Sequence, residues 1–444
     1  MLAELRLINF RSISNPRRLK LAPLNVLIGP NNAGKSSLLY ALLLMKQTMS
    51  DANPDAALVT SLQGLELGGY RDLVHGHDEN SQIGMELRFH EAAMPKFSMP
   101  GGSPQAKQAV DFSFRLGYDK KRNRILVSEA IVRAADAEVL LAAKRGPKGL
   151  EMSGVPADIG AHLGLRLVHF VPATYLKGKA PKDKQLATKA FRRMFDSIVY
   201  PMAAEEVLQN IRYIGPVRDR IPPMMLSGTR TYAEVGPTGA DTMRVLASQE
   251  RTGRGMKGEP KTAEARLREW LCDRFRTLKD VRLHWGDVHH TVVSLLGDER
   301  RGVADLNLAY MGFGIGQLVP LIVETGILPP QGCLLVEQPE VHLHPKAQAD
   351  LADLFLAHLK GGRQFIIETH SEHLVLRLRR RIAEGLDPTN VRLFHFGKAA
   401  THTVIKAMDI DRDGMVPKWP RRFFEQSYEE ALRIAEAGIS KRAR

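Results

Sequence analysis

One octapeptide restricts this chain more than any other feature of it. Gly29-Pro30-Asn31-Asn32-Ala33-Gly34-Lys35-Ser36 satisfies the pattern G-x-x-x-x-G-K-[ST]. An apolar run, Leu24 to Gly29, precedes it, and Ser36 to Met49 continues as a helix, so the local order is strand, glycine loop, helix. That context separates the motif from an incidental glycine loop. The glycines let the backbone curl until successive N–H groups face the β- and γ-phosphates of a nucleotide, and the helix adds its positive N-terminal end. Lys35 supplies a point charge on the phosphates. Ser36 offers a hydroxyl to Mg²⁺, which prefers oxygen ligands. The expected nucleotide-contacting set is therefore Gly29, Asn31, Asn32, Gly34, Lys35, Ser36 and Ser37, with ATP and Mg²⁺ as the bound species.

A second strand-end motif follows far downstream, at Leu334-Leu335-Val336-Glu337-Gln338-Pro339-Glu340. An apolar strand ending in a carboxylate is the Walker B arrangement, in which the acid holds the Mg²⁺ shell and the next residue activates water. Glu337 takes the metal role beside Ser36. Gln338 occupies the position of the activating group, and an amide cannot accept a proton. Losing a general base costs ~10²- to 10⁴-fold in rate, so slow hydrolysis is expected. Gln338 could instead orient water, or Glu340 could reach in across the Pro339 turn. Plain strand-end solvation competes as an explanation of Glu337, and helix N-terminal charge as one of Glu340.

Two further elements complete the order. Tyr310-Met311-Gly312-Phe313-Gly314-Ile315-Gly316-Gln317 opens an apolar helix, Leu318 to Ile327, and its glycines expose N–H groups as a second anion nest. A bare glycine triplet is more often a tight turn; its place upstream of the Walker B strand gives it weight. Glu368-Thr369-His370-Ser371 ends the Gln364 to Ile367 run, where His370 can hydrogen-bond a γ-phosphate or its attacking water and so sense the nucleotide. The candidate catalytic residues are Glu337, Gln338, Glu340 and His370. The second nest adds Gly312, Gly314, Gly316 and Gln317.

At 444 residues the chain is about three ordinary domains long. Four divisions are expected: 1–90 as an N-terminal lobe with the P-loop, 91–209 as an inserted arm, 210–400 as a C-terminal lobe, and 401–444 as a tail. PGGSPQ near Pro100, GPKG near Gly146 and GKAPKDKQ near Gly178 punctuate the arm. Residues 251–261, rich in Gly and Lys, read as a mobile loop before an amphipathic helix from Thr262 to Lys279. Gly332 to Val336 and Gln364 to Ile367 read as parallel strands covered on both faces, joined by a helix that Pro345 opens. The expected class is α/β: a P-loop head with a mixed or parallel sheet flanked by helices, plus an inserted α+β arm.

Composition narrows the remaining classes. Hydrophobic residues at 44% and charged residues at 25% describe a folded chain. Net charge of +14 favours polyanionic partners. Cys272 and Cys333 are too few for a disulfide framework or a four-thiolate metal site, which fits a reducing cytoplasm. MLAELRLINFRSIS carries no apolar h-region, and the longest apolar stretch, Leu38 to Met45, is well short of the ~20 residues of a span. A cytoplasmic location without membrane insertion is expected.

Taken together, P-loop, glycine signature, LLVEQPEVHLHP and IIETHSEHL resemble the bacterial ABC-type ATPases of the SMC, RecF and overcoming-lysogenization-defect (OLD) group. Ile410 to Phe424 and Tyr213-Ile214-Gly215-Pro216-Val217-Arg218 are similar to recurring segments of uncharacterised ATPases there; residues 91–209 find no match. The resemblance implies two heads with ATP sandwiched between one P-loop and the other's signature, hence a self-associating dimer or higher oligomer. It also implies a nucleotide switch controlling a separately encoded effector, a nuclease or toxin, in anti-phage defence. Only 74 residues follow His370, too few for the nuclease domain that OLD members often carry, so the effector is expected in trans. Two departures stand out. The signature lacks the serine that ABC proteins use toward the γ-phosphate, and Gln338 suggests a long-lived closed state. The alternative is a RecF- or SMC-like DNA-binding ATPase of genome maintenance. A transporter subunit fits neither signature nor tail, and a small-molecule kinase leaves the signature and His370 without a role.

Other signals point elsewhere or nowhere. Asp409 to Gly414 begins like an EF-hand loop, but its twelfth position is Pro420 where a bidentate Glu is needed. His289 with His290, and His342 with His344, lack partners for a tetrahedral site. Basic runs at Lys144-Arg145, Lys182-Asp183-Lys184, Arg192-Arg193, Arg379-Arg380-Arg381 and Lys441-Arg442 suit either a nucleic-acid backbone or a solvated helix face.

Overall fold

The computed structural model describes residues 1–62, 65–90, 110–134, 138–178, 183, 185–188, 204–226, 230–252, 262–285, 292–298, 306–417 and 419. The expectations placed on PGGSPQ, on most of GKAPKDKQ, on 253–261, His289 and His290, Lys182 and Lys184, Arg192 and Arg193, and the tail from Pro420 lie outside these residues.

Alternation along short buried strands sets the architecture. Leu24, Val26 and Ile28 enter one core while Leu27 enters a second, and Leu334 and Val336 divide from Cys333 and Leu335 in the same way. Strands with both faces in apolar cores must lie inside a sheet covered on both sides. The sheet has six strands in the order Ile211–Ile214, Cys333–Glu337, Gln364–Glu368, Leu24–Ile28, Val391–Lys398, Thr403–Met408. The first five are parallel and the last is an antiparallel edge. Helix Lys35–Met49 packs in the core on one face. Helices Phe313–Ile327, Pro345–Ala357 and Glu372–Ala383 pack in the core on the other. This is the α/β class expected from the sequence, a mixed sheet flanked by helices.

A second, seven-stranded antiparallel sheet covers the core of the Lys35–Met49 helix. Leu2–Ile8 and Ile83–Phe89 pair within it, and Val110–Asp119 pairs directly with Ile83–Phe89. Three more strands, Arg124–Ala134, Val139–Gly146 and Gly149–Ser153, continue the ladder outward. Residues 110–153, expected within an inserted arm, are thus hydrogen-bonded into the sheet of the N-terminal lobe. The GPKG punctuation is the tight turn between two of its strands, with Gly149 at φ 125.

Two helices differ from their sequence reading. The Thr262 to Lys279 segment is not one α-helix. Thr262 caps a short helix, Ala263–Arg268, which widens into a π turn over Glu269–Arg274, and a strand begins at Asp280. Trp270, Leu271, Phe275 and Leu278, from the π turn and the residues after it, are buried in one core. The glycine-led helix begins at Phe313, not Leu318, so Gly314 and Gly316 lie in its first turn with Gly312 as N-cap. Among the described residues no helix is long and apolar enough to cross a membrane.

Candidate functional site

The parallel strands Leu24–Ile28, Gln364–Glu368, Cys333–Glu337 and Ile211–Ile214 end side by side, and their C-terminal edge gathers most of the residues singled out in the sequence. Open α/β sheets bind ligands at this edge. After Ile28 the chain turns through Gly29 at φ 141, Asn32 at φ 58 and Gly34 at φ 90. A side chain at Gly29 would strike the Phe396 carbonyl, and one at Gly34 the hydroxyls of Ser12 and Thr403, so only glycine fits either place. Gly34 is the N-cap of Lys35–Met49 and supplies no side-chain cap, leaving the first helical N–H groups for an anion. Asn31 and Asn32 are exposed on the loop rim, and Ser37 is buried beneath it.

Lys35 is 3% exposed. Its Nζ donates to the carbonyls of Gly29 at 3.1 Å and Pro30 at 3.0 Å and lies 3.6 Å from Glu368 Oε1. Ser36 Oγ donates to Glu368 Oε2 at 2.7 Å. Glu368 was not among the expected site residues, yet it is the carboxylate that the P-loop side chains meet. Its strand is in register with the Walker B strand, so Glu337 and Glu368 are direct neighbours. Tyr213, from the Ile211–Ile214 strand, donates its hydroxyl to Glu337 Oε1 at 2.8 Å. Burial, then the charge of Glu368, pushes the Glu337 carboxyl up to about 7, against the hydroxyls of Tyr213 and Tyr40 and the charge of Lys35. Burial raises Tyr40 to about 12 and raises Tyr213 as well, with the Glu337 charge adding in each case.

Two neighbouring buried carboxylates and a serine hydroxyl form an all-oxygen donor set, which suits a hard divalent cation and would be relieved by one. Ser36, Glu337 and Glu368 are the residues that would hold Mg²⁺. Among the described residues no group of three or more His, Cys, Asp or Glu is arranged as a metal cluster. A P-loop magnesium needs none, since phosphate oxygens and water complete its shell.

Gln338 stands at φ 43, in the left-handed region, and its N–H donates to the Glu368 carbonyl at 2.7 Å. The reversal returns Glu340 to the end of the Gln364–Glu368 strand, where Glu340 Oε1 accepts from the His370 N–H at 2.6 Å. Burial raises the Glu340 carboxyl, while burial and then the Lys35 charge lower His370, which keeps the imidazole neutral at pH 7. Ser371 caps the helix Glu372–Ala383 through Leu374 N and donates to Gln348, which fixes the segment carrying His370. Arg218, also outside the expected set, donates from Nη2 to the carbonyls of Glu337 and Gln338 at 3.1 and 3.4 Å.

The structure therefore brings Lys35, Ser36, Glu337, Gln338, Glu340 and His370 to one strand-end region. Gly312, Gly314, Gly316 and Gln317 lie across the turn that follows Glu340. Phe313 meets the His342 ring edge-on at 4.7 Å, and a side chain at Gly314 would come within 2.9 Å of the His342 carbonyl. This helix start lines an open groove of about 320 Å³ with Arg220, Tyr310 and Phe313.

The signals set aside in the sequence have ordinary structural places. His344 caps Pro345–Ala357, and Asp411 accepts from the N–H groups of Asp413 and Met415. In the basic run, Arg381 pairs with Asp353 and Glu384, Arg380 pairs with Glu384, and Arg379 donates to the Gly414 carbonyl.

A family model described as an AAA ATPase domain matches residues 1–88 and 265–375, blocks that contain the P-loop, the glycine helix, Glu337 to Glu340 and His370. The chain carries a P-loop ATPase domain. No curated protein matches it. Solved structures similar to it include an SMC head bound to the C-winged helix domain of ScpA, 11% identical over 93% of this chain and 98% of that one, with a TM-score of 0.46. Another is the SMC head domain from Thermotoga maritima, 13% identical over 92% and 99%, TM-score 0.38. A third is the Smc head domain with an extended coiled coil bound to the C-terminal domain of ScpA from Pyrococcus furiosus, 11% identical over 98% of each chain, TM-score 0.42.

Proposed function

We propose that this chain is a slow ATP-dependent switch. ATP and Mg²⁺ are held by Gly29 to Ser37 of one copy and by the helix start Gly312 to Gln317 of a second. The observation that carries this reading is the convergence of Lys35, Ser36, Glu337, Glu340 and His370 at one sheet edge. Lys35 and the N–H groups after Gly34 orient the β- and γ-phosphates, and Mg²⁺ supplies charge neutralisation on them. Within one copy the glycine helix start faces an open groove, where a second copy's triphosphate would complete it. Phosphate charge shared between two subunits gives the closed dimer its differential affinity, which a nucleotide switch requires.

Hydrolysis falls to Glu340 because Gln338 carries an amide. Glu340 takes a proton from the attacking water as the water oxygen bonds to the γ-phosphorus. The bond to the β,γ-bridging oxygen breaks, and ADP departs with the electron pair. Glu340 stands a turn away from the usual position of the base, which accounts for a slow rate and a persistent closed state. In line with the OLD-group resemblance, that state would be read by a separate nuclease or toxin subunit in anti-phage defence.

Size-exclusion chromatography with light scattering, with and without ATP and Mg²⁺, tests the reading. Wild type is expected to shift to a dimer or larger assembly with nucleotide, and Lys35→Ala to remain unshifted. Identical elution of wild type in both conditions would overturn it.

A further inference from the structure

Buried polar atoms without a hydrogen-bond partner collect at the strand ends: Arg218 Nε and Nη1, Glu340 Oε2 and His370 Nε2. Each such group costs free energy, more when charged, so native chains tolerate few of them. Arg218 is 4% exposed. It follows the Ile211–Ile214 strand, which flanks Cys333–Glu337 on the side away from the P-loop strand. The Walker B strand and Gln364–Glu368 both stand between the Ile211–Ile214 edge and the P-loop strand, so Arg218 is placed to act on the motif from behind and not on the nucleotide.

What it grips is specific. Nη2 spans two consecutive carbonyls, Glu337 O and Gln338 O, at the point where the chain reverses. A non-glycine residue in the left-handed region is strained and persists only where its surroundings fix it. Gln338 is such a residue, and its turn is what carries Glu340 back to the His370 N–H. The guanidinium is also a charge neighbour of Glu340, and both side chains are buried.

We propose that Arg218 is a positioning residue for hydrolysis that acts through Glu340: it clamps the left-handed turn at Gln338 and balances the buried carboxylate, leaving Glu340 Oε2 free for the attacking water. The inference rests on the proposed role of Glu340 as the base.

Steady-state ATP hydrolysis and fluorescent mant-ATP binding would be measured on the full chain carrying Arg218→Met, Arg218→Lys, Glu340→Gln and the Arg218 variants combined with Glu340→Gln. Loss of a positioned base costs ~10²- to 10⁴-fold, so Arg218→Met is expected to lower kcat about 10²-fold. KM and the mant-ATP Kd should stay within about threefold of wild type, since only transition-state contacts are lost. Arg218→Lys keeps the charge without the fork and should recover about tenfold over Met. In the Glu340→Gln background either Arg218 variant should cost less than about threefold more, the signature of residues acting as a unit. Additive losses in the double variants, or an unchanged kcat in Arg218→Met, would overturn the proposal. Should Arg218→Met lose mant-ATP binding through misfolding, the Arg218→Lys cycle decides alone. Wild type that binds mant-ATP without hydrolysing it overturns this inference and leaves the binding switch standing; wild type that does not bind overturns the reading beneath it.

Discussion

Lys35 is 3% exposed, and its ammonium is committed to two loop carbonyls and a buried carboxylate; Tyr310, at the start of the glycine helix, is 76% exposed and Phe313 42%. Both regions offer helix N-terminal N–H groups to an anion, yet only one is finished within a single chain. The strand-end cradle is fixed by a parallel ladder, by left-handed glycines that no other residue can replace, and by ion pairs under cover. The glycine helix start packs Phe313 on His342 and under Arg220 and buries Gln317, but it leaves Tyr310, Gly312 and Phe313 exposed along an open groove. In the proposed switch, the site completed inside the chain would carry binding and the one left open the choice of partner. That division is what a nucleotide-controlled association needs.

The sharpest way to break the comparison is on the buried side. Glu337→Gln keeps the shape of the strand end but removes one of the two carboxylates available to Mg²⁺. Loss of a metal-holding carboxylate should lower kcat at least ~10²-fold, with isothermal titration showing weakened Mn²⁺–ADP binding. Unchanged metal dependence would move the metal role to Glu368. On the open side, a Cβ at Gly316 meets nothing within 4 Å, so Gly316→Glu should fold normally. A carboxylate facing a partner's triphosphate costs several kcal/mol, so nucleotide-dependent dimerisation should weaken by more than ~10-fold. Mant-ATP affinity of the monomer should stay within about threefold of wild type. An unaffected dimer would place the interface elsewhere.

The same contrast governs what could be read from sequence. Gly29 to Ser36 was legible because its chemistry is local: glycines, lysine and serine at fixed spacing between a strand and a helix. Glu337 and His370 were legible as ends of apolar runs. Glu368 lies in plain view in the Glu368-Thr369-His370-Ser371 motif, but its meaning comes from register. Only the pairing of two parallel strands sets it against Glu337 and within reach of Ser36. Arg218 and Tyr213 act across a strand pair more than a hundred residues apart in sequence, a distance that periodicity does not bridge. The pairing of 110–153 is hidden for a related reason: its strands alternate clearly, but nothing local says that Val110–Asp119 pairs with Ile83–Phe89. The early start of the glycine helix was hidden because Gly314 and Gly316 are poor helix formers, and close approach to the His342 carbonyl outweighs propensity at Gly314.

The smallest effect concerns the charge held under the cradle. In the folded chain Glu337 is raised to about 7 from 4.5, so without metal the native state holds a proton that the unfolded state has already released. Stability from this group is therefore fully present below about pH 4.5 and is lost as pH rises through 7. The ceiling of that loss is about 3 kcal/mol, and coupling to Glu368 makes a measured value nearer 1–2 kcal/mol reasonable. Urea melts of the metal-free chain between pH 5.5 and 8 should register this group as a falling midpoint in wild type and a flatter one in Glu337→Gln. Saturating Mg²⁺–ADP should also flatten the wild-type curve, because a cation beside the two carboxylates removes the advantage of the proton. If instead wild type and Glu337→Gln track each other across that range, the buried pair carries no strain for a metal to relieve. The contrast between a tense, ligand-demanding cradle and an open helix start would then lose its first half.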